Sequence, residues 1–284
     1  MFVDTSPSKP AVSSDAGMQR ARGAARVALS GARVADLYQK SPCKVLMPRV
    51  DGRDQAEIVF INSSGGIAGG DELDYAVRVA GAAVTTVTTQ ASEKVYGAID
   101  RDARLHMSIA VDDGATLEWL PQQTIAFDGA RLRRRTDIDV EGSGRVLALD
   151  WLVMGRQASG ETMIRGALRD EWRVRRDGRL VWADALRLTG DLGALARRRA
   201  SLGSNRAFAT LVYAAPDATD RLELARALVE DCGESGVTLV NGLLVGRFLA
   251  FDGMALAAHV GFFLEGFRAG LGGFAPWPPR LWTC

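Results

Sequence analysis

Apolar and polar positions alternate along much of the chain between about Ala56 and Leu188. In LDYAVRVA, Leu73, Tyr75, Val77 and Val79 fall on one face. In RLHMSIAV, Leu105, Met107, Ile109 and Val111 do the same. A period of two is that of a half-buried strand. AVTTVTTQ is dominated by the β-branched residues that strands favour. Turn signals at Gly81, Asp113-Gly114, Asp128-Gly129 and Gly142-Ser143-Gly144 separate such runs. Asp177-Gly178 sits between two alternating strands in EWRVRRDGRLVWADALRL, which predicts a hairpin with a type I′ turn. Many short strands at turn spacings of about 12 to 16 residues fit a sandwich, a barrel or an irregular solenoid, and strand pattern does not choose among them. No sequence unit repeats, which argues against an ideal solenoid.

Helical periodicity comes late. Asp220 and Glu223 have the spacing of a capping box ahead of RLELARALVED, with Gly233 as the stop. GALARRR (193–199) reads as a short helix, and a longer one is expected from Asp252 to about Ala269. On the latter, Leu256, Val260, Phe263 and Phe267 share a face suited to packing on the β core. Met254, His259 and Phe262 lie off that stripe and broaden the apolar surface toward a partner. The chain therefore reads as a disordered tail over 1–23, a β-rich part over 24–190 and a mixed α/β part over 191–284.

Composition narrows the function classes. With 35 basic and 34 acidic residues in 284, the formal charge is +1. Such a balance gives no global field for nucleic acid or an anionic membrane. The cluster Arg131, Arg133, Arg134 and Arg135 is expected to be a solvated strand face, compensated by Asp128 and Asp137. Cys43, Cys232 and Cys284 are odd in number and widely spaced, which suits a reducing compartment. The first residues lack an apolar signal core, and Arg247, Asp252, Glu265 and Arg268 interrupt the most apolar region. A cytoplasmic protein without a membrane span is the expectation.

The stretch NSSGGIAGGDELD (62–74) invites a phosphate-loop reading, and its own residues refuse it. Gly69-Gly70 is followed by Asp71-Glu72 rather than Lys-Ser or Lys-Thr, and a strand follows instead of a helix. No GxSxG elbow occurs. The two histidines, His106 and His259, are isolated, and nothing in the sequence places a cysteine beside either. So few soft ligands do not build a permanent zinc or nickel site. Asp71, Glu93, Glu118, Asp128, Asp150 and Glu161 all fall near turns or in glycine-containing stretches. Their spacing is compatible with paired-carboxylate glycoside chemistry, a hydrolase or lyase alternative.

Taken in order, INSSGGIAGGD, TTQASEKVYG, LEWLPQQTIAFDGAR, LDWLVMGRQASGE, DEWRVRRDGRLVWAD and the closing PPRLW resemble the urease accessory protein UreD family, called UreH in some systems. SPCKVLMPR resembles its early strand. The resemblance runs from about residue 24 to the end and implies a single domain, mainly β, wound as a distorted helical structure with a few helices in the C-terminal half. It also implies a non-enzymatic role. Such proteins bind UreF, which recruits the GTPase UreG, and the assembly docks on apo-urease to deliver nickel. The metal is then transient cargo, with no permanently bound cofactor. Nickel that must be released suits oxygen ligands better than clustered His and Cys. Asp71, Glu118, Asp128 and Glu161 are the expected contacts along the route, with Thr88, Thr89 and Ser92 adding neutral oxygens. Phe262, Phe263, Trp277 and Trp282 are the expected UreF-facing residues. The chain departs from the family pattern at Gln123 and Gln157, where acids are common, at Gly97, usually Arg, and at Asn62, often His.

Overall fold

The computed structural model describes residues 20–48, 55–82, 84–199, 201–274, 278–279 and 282. Most of the 1–23 tail, Trp277 and Cys284 lie outside them, although Arg22 and Gly23 already belong to the first strand. Among the described residues seventeen strands and three α-helices are formed, with one turn of 3-10 helix at Gln157–Ser159. The strands are β1 (Arg22–Ser30), β2 (Arg33–Lys40), β3 (Cys43–Leu46), β4 (Gln55–Asn62), β5 (Glu72–Ala80), β6 (Val84–Thr89), β7 (Glu93–Val95), β8 (Ala103–Val111) and β9 (Thr116–Trp119). They continue with β10 (Thr124–Ala126), β11 (Arg131–Val140), β12 (Arg145–Met154), β13 (Arg165–Arg176), β14 (Arg179–Asp191), β15 (Ala207–Ala214), β16 (Glu234–Val240) and β17 (Leu243–Ala250). The helices are α1 (Leu192–Ala196), α2 (Leu222–Val229) and α3 (Gly253–Leu271).

From β4 onward the chain winds between two sheets. One has the order β14-β13-β11-β8-β5-β1-β2, and the other runs β16-β17-β15-β12-β9-β6-β4-β3. The inner pairs β5–β8, β8–β11 and β11–β13 are parallel, as are β4–β6, β6–β9 and β9–β12. Each coil thus lays one strand in each sheet, and the chain is a solenoid. Glu72 pairs with Arg104, Arg104 with Arg133, and Arg133 with Arg169, so successive coils advance by 32, 29 and 36 residues. An uneven coil length is why no repeat is visible in the sequence. Antiparallel neighbours finish the stack: β14 folds back on β13, β2 on β1, β3 on β4 and β16 on β17. The β13–β14 turn carries positive φ at both Asp177 (50°) and Gly178 (74°), the type I′ geometry expected from its sequence.

Alternate residues of the two sheets fill the space between them, Leu73, Val77, Ile109, Leu132, Ile138 and Trp172 among them. Full burial of each aliphatic side chain contributes about 1.5–3 kcal/mol. A second core lies on the far side of β12, β15 and β17, under α2 and α3. LDWLVM of β12 is buried on both faces for this reason, which turns alternation into a continuous apolar run. Asp252 caps α3 by accepting from Ala255 N at 2.8 Å. Leu256, Val260, Phe263 and Phe267 are all buried as the helical spacing predicts. The capping box of α2 does not form. Its N-cap is Arg221, with no side-chain cap, because the chain is already coiled through the preceding turn and Asp220 is spent inside it.

Two further expectations change. Arg134 is no part of a solvated face: it is 3% exposed on the inner side of β11, while Arg133 points out. Phe263 is 1% exposed, with its ring 5.2 Å from Phe248 and 5.3 Å from Phe267. It is therefore a core residue with no surface for a partner, whereas Phe262 beside it is exposed.

Candidate functional site

The stretches that carry the family resemblance are far apart in sequence and stacked in space. Ile67 bridges to Val95 in parallel. Val95 of β7 pairs with Ala126 of β10, which pairs with Met154 of β12. These four are buried one above another, and they belong to GGIAGG, SEKVYG, PQQTIAFDG and WLVMGRQ. One corner of the solenoid, repeated coil after coil, is what the ordered motifs spell. The glycines permit its tightness. A Cβ on Gly66 would lie 2.9 Å from the Lys94 carbonyl, and one on Gly155 would lie 2.5 Å from that of Glu161; Gly155 also has a φ of +89°.

Beside this corner, between the sheets, is a cavity of about 430 Å³. Phe60, Met107 and Trp119 make its apolar walls, and Asn62, Thr89, Ser92, Glu93, Thr136 and Asp150 supply oxygens. At one side Asn62 Nδ2 donates to both carboxylate oxygens of Glu93, at 3.1 and 3.3 Å. Burial pushes the Glu93 carboxyl up to about 7, against the opposing pull of Asn62 and of the Lys94 backbone N–H. At the other side Arg134 grips Asp170 through Nε (2.9 Å) and Nη2 (2.6 Å), with Asp150 at 3.6 Å. Asp150 also accepts from Thr136 (2.8 Å) and Trp119 (3.3 Å). Burial raises its pKa above the ordinary carboxylate range, Arg134 opposes this, and the neighbouring Asp170 adds to it. One guanidinium thus faces two carboxylates, and among the groups that line the cavity Glu93 and Asp150 are matched in number by Lys94 and Arg134.

The four acids expected to contact nickel lie outside this cavity and are not brought together. Asp71 anchors its loop, accepting from Ala21 N and Ala68 N at 2.8 Å each. Glu118, 0% exposed, accepts from Arg268 Nε (2.5 Å), Arg268 Nη2 (2.9 Å) and Thr86 (2.8 Å). It is a buried ion pair that ties β9 to α3. Asp128 and Glu161 do meet. Glu161 accepts the Asp128 N–H at 2.7 Å and pairs with Arg156, while Asp128 accepts from Ile164 N and Arg165 N. The Arg165 and Asp128 backbone N–H groups, respectively, hold these two carboxyls below the ordinary range. Of the neutral oxygens, Thr89 and Ser92 line the cavity, whereas Thr88 is bound to the Leu120 carbonyl at 2.6 Å. Among the described residues no three His, Cys, Asp or Glu side chains cluster to hold a metal.

Sequence reading had marked Glu93 and Asp150, but for glycoside chemistry. The available signal was an acid inside the otherwise apolar LALDWLVM. His106 is a satisfied strand residue, 2.8 Å from Asp137 and 3.3 Å from Asp74. Cys232 does lie against α3, its Sγ 3.5 Å from the His259 carbonyl. Burial pushes that thiol up to about 11, so it stays protonated and is no nucleophile. Gln123 Oε1 and Gln157 Nε2 are buried without hydrogen-bond partners among the described residues, while Gln157 Oε1 accepts from Gly253 N at the start of α3. Trp282 stacks on Trp151 at 5.2 Å and donates to the Leu120 carbonyl at 3.0 Å, which fastens the C-terminal segment to the β9 side of the sheet.

The raised Glu93 carboxyl has a stability consequence. Relative to its ordinary value of 4.5, the folded protein retains this proton up to about pH 7. Its favourable contribution is therefore complete below the lower value and lost as pH rises through the higher one. Glu93→Gln keeps the shape and removes the charge. Guanidinium melts are expected to show it ahead of wild type by roughly 2–3 kcal/mol near pH 8 and level with it near pH 5.

A two-sheet solenoid of parallel coils, with two helices packed on one sheet and an oxygen-lined cavity between the sheets, is the class of protein this fold defines. The family model described as "UreD urease accessory protein" matches residues 19–283. The chain is 43% identical over 270 residues to the urease accessory protein UreD of Azorhizobium caulinodans, covering 93% of this chain and 97% of that one. It is 42% identical over 285 residues to that of Xanthobacter autotrophicus, covering 98% and 96%. With the Paracoccus denitrificans protein the identity is 41% over 269 residues, covering 93% of each. This chain belongs to the UreD urease accessory protein family. Among the described residues no helix is long and apolar enough to cross a membrane.

Proposed function

We propose that the chain serves apo-urease in the cytoplasm as a nickel-insertion accessory, scaffolding UreF and UreG, and that the cavity beside the corner stack is a segment of the ion's route. The observation that supports this reading is the oxygen-rich lining, in which Asn62, Thr89, Ser92, Glu93 and Asp150 stand beside Lys94 and Arg134. Carboxylate, amide and hydroxyl oxygens bind nickel weakly enough for release, and among the described residues no His or Cys cluster stands by to retain it. A partner surface is offered on α3. Met254 is 82% exposed and Phe262 46%, with Phe251 beside the helix start at 62%. These three are the contacts we assign to UreF.

The paired-carboxylate enzyme has less support. Asp150 is held by Thr136, Trp119 and Arg134, which leaves it poorly placed for acid–base work on a sugar.

Co-expression of urease subunits, UreF and UreG with and without this chain tests the role: urease activity and nickel content should both depend on it, and equal activation in its absence would sink the reading. The route has its own test in Glu93→Gln. That variant is expected to copurify with its partners and to melt no lower than wild type, yet to leave urease with several-fold less nickel. Full nickel loading would remove Glu93 from the route.

A further inference from the structure

The outer face of the first sheet carries a row of arginines that neither core nor cavity uses. The register of its strands places Arg22, Glu72, Arg104, Arg133, Arg169 and Arg187 side by side on β1, β5, β8, β11, β13 and β14. Their inward neighbours Leu73, Leu132, Leu168 and Leu188 are buried, so alternation turns the arginines to solvent. Side-chain exposure is 72% at Arg22, 64% at Arg104, 54% at Arg133 and 45% at Arg169. At a strand spacing of about 4.8 Å the row is roughly 24 Å long.

Compensation along it is thin. Glu72 is shared by Arg22 (3.8 Å) and Arg104 (3.5 Å), and Asp102 by Arg133 (2.6 Å) and Arg131 (2.8 Å). Arg169 leans on Glu171, and Arg187 makes no ion pair with any described residue. Like charges directly opposite on neighbouring strands are destabilising, and from β8 to β14 this sheet sets four of them in succession. The formal charge of the whole chain is only +1, so the excess of arginine over acid along this row is a local feature.

We infer that the arginine row is a docking face for an acidic strip on a folded protein, and that the protein is apo-urease, an inference that rests on the function proposed above. Two observations favour a protein over a polyanion. The row beside it reads Asp74, His106, Arg135 and Glu171, and Asp139 stands exposed further along β11. Fixed carboxylates among the arginines match an ordered pattern of opposite charge and repel a continuous phosphate backbone. The location also fits. α3 packs beyond the other sheet, so an apolar partner seated there leaves the row free. Electrostatic contacts speed association and remain salt-sensitive, which suits a protein that must leave its client once the ion is delivered.

The test measures binding of nickel-free urease to the full-length chain from about 50 to about 300 mM salt. Wild-type affinity is expected to fall about tenfold or more across that range. The triple variant Arg104→Ser/Arg133→Ser/Arg169→Ser should bind about tenfold more weakly at the low-salt end, with a flatter salt dependence. Arg187→Glu breaks no ion pair among the described residues, so its expected severalfold slower association does not rest on a folding defect. Variants matching wild type in affinity and salt slope would overturn the row alone. A wild-type chain that fails to bind urease would overturn the function reading together with it. Tighter binding to a short DNA duplex or to phosphatidylserine vesicles, abolished in the triple variant, would reassign the face to nucleic acid or membrane.

Discussion

Arg268→Met should cost about 3–5 kcal/mol, a large fraction of the roughly 5–15 kcal/mol by which a domain is stable. Arg268 is 3% exposed and Glu118 0%, and the two are joined by contacts of 2.5 and 2.9 Å between the last turns of α3 and strand β9. Methionine fills most of the volume but leaves Glu118 buried with only the Thr86 hydroxyl at 2.8 Å. The penalty is that of an uncompensated buried carboxylate, not of the pair's own attraction. Removing both charges, in Glu118→Leu/Arg268→Met, should therefore recover most of the loss, and a double-mutant cycle in guanidinium chloride checks this. If Glu118 acted instead as a nickel contact, the single change at Arg268 would impair urease loading while leaving stability intact. The geometry predicts the reverse order of effects.

Arg134→Met is the second large effect, and it carries a pH signature. Arg134 grips Asp170 and lies 3.6 Å from Asp150, and no other guanidinium among the described residues pairs with either. Burial already raises Asp150 above the ordinary carboxylate range while Arg134 holds it down. Without Arg134 it rises further, so the folded variant binds a proton that the unfolded chain has released. Stability is then lost as pH rises from the ordinary carboxylate value through the raised one. A penalty of roughly 3–5 kcal/mol is expected near pH 8, shrinking toward pH 5. Equilibrium unfolding at the two pH values measures it, and a penalty that grows on acidification would refute the assignment.

Much of the fold was legible in the residues, and the limits of that legibility have physical causes. Alternation in LDYAVRVA and RLHMSIAV located β5 and β8 because each has one face in the core. The Asp177-Gly178 hairpin could be read because its turn chemistry is local. The solenoid could not be read from the residues alone, since coils of 32, 29 and 36 residues blur any period; there the family resemblance supplied the architecture. Arg134 was misread among its neighbours because strand parity, not composition, decides which of four clustered arginines turns inward. The capping box failed because Asp220 was claimed by the turn before α2.

For the candidate site, the glycine-rich and SEK, PQQ and GRQ stretches stack beside the cavity, yet three of the four acids chosen within them have oxygens that anchor loops, and the fourth, Glu118, pairs with Arg268. Asp71, Asp128 and Glu161 accept backbone N–H groups. Turn-adjacent acids commonly do so, and spacing alone cannot tell a loop anchor from an acid facing a void. Glu93 and Asp150 face the cavity because their strands pass its wall, a fact of three-dimensional register.

A stack of parallel coils has no intrinsic end, since its last strand offers an edge on which another copy can continue the winding. In this protein the terminal strands reverse direction: β14 and β2 close one sheet, and β16 and β3 close the other. A second molecule arriving at such an edge meets a strand running the wrong way to extend the coil, and at β14 also the charged side chains of Arg179 and Arg187. The reversal converts a potentially endless winding into a stack of fixed length, leaving the faces of the sheets, rather than their edges, as the surfaces on which an assembly can be built.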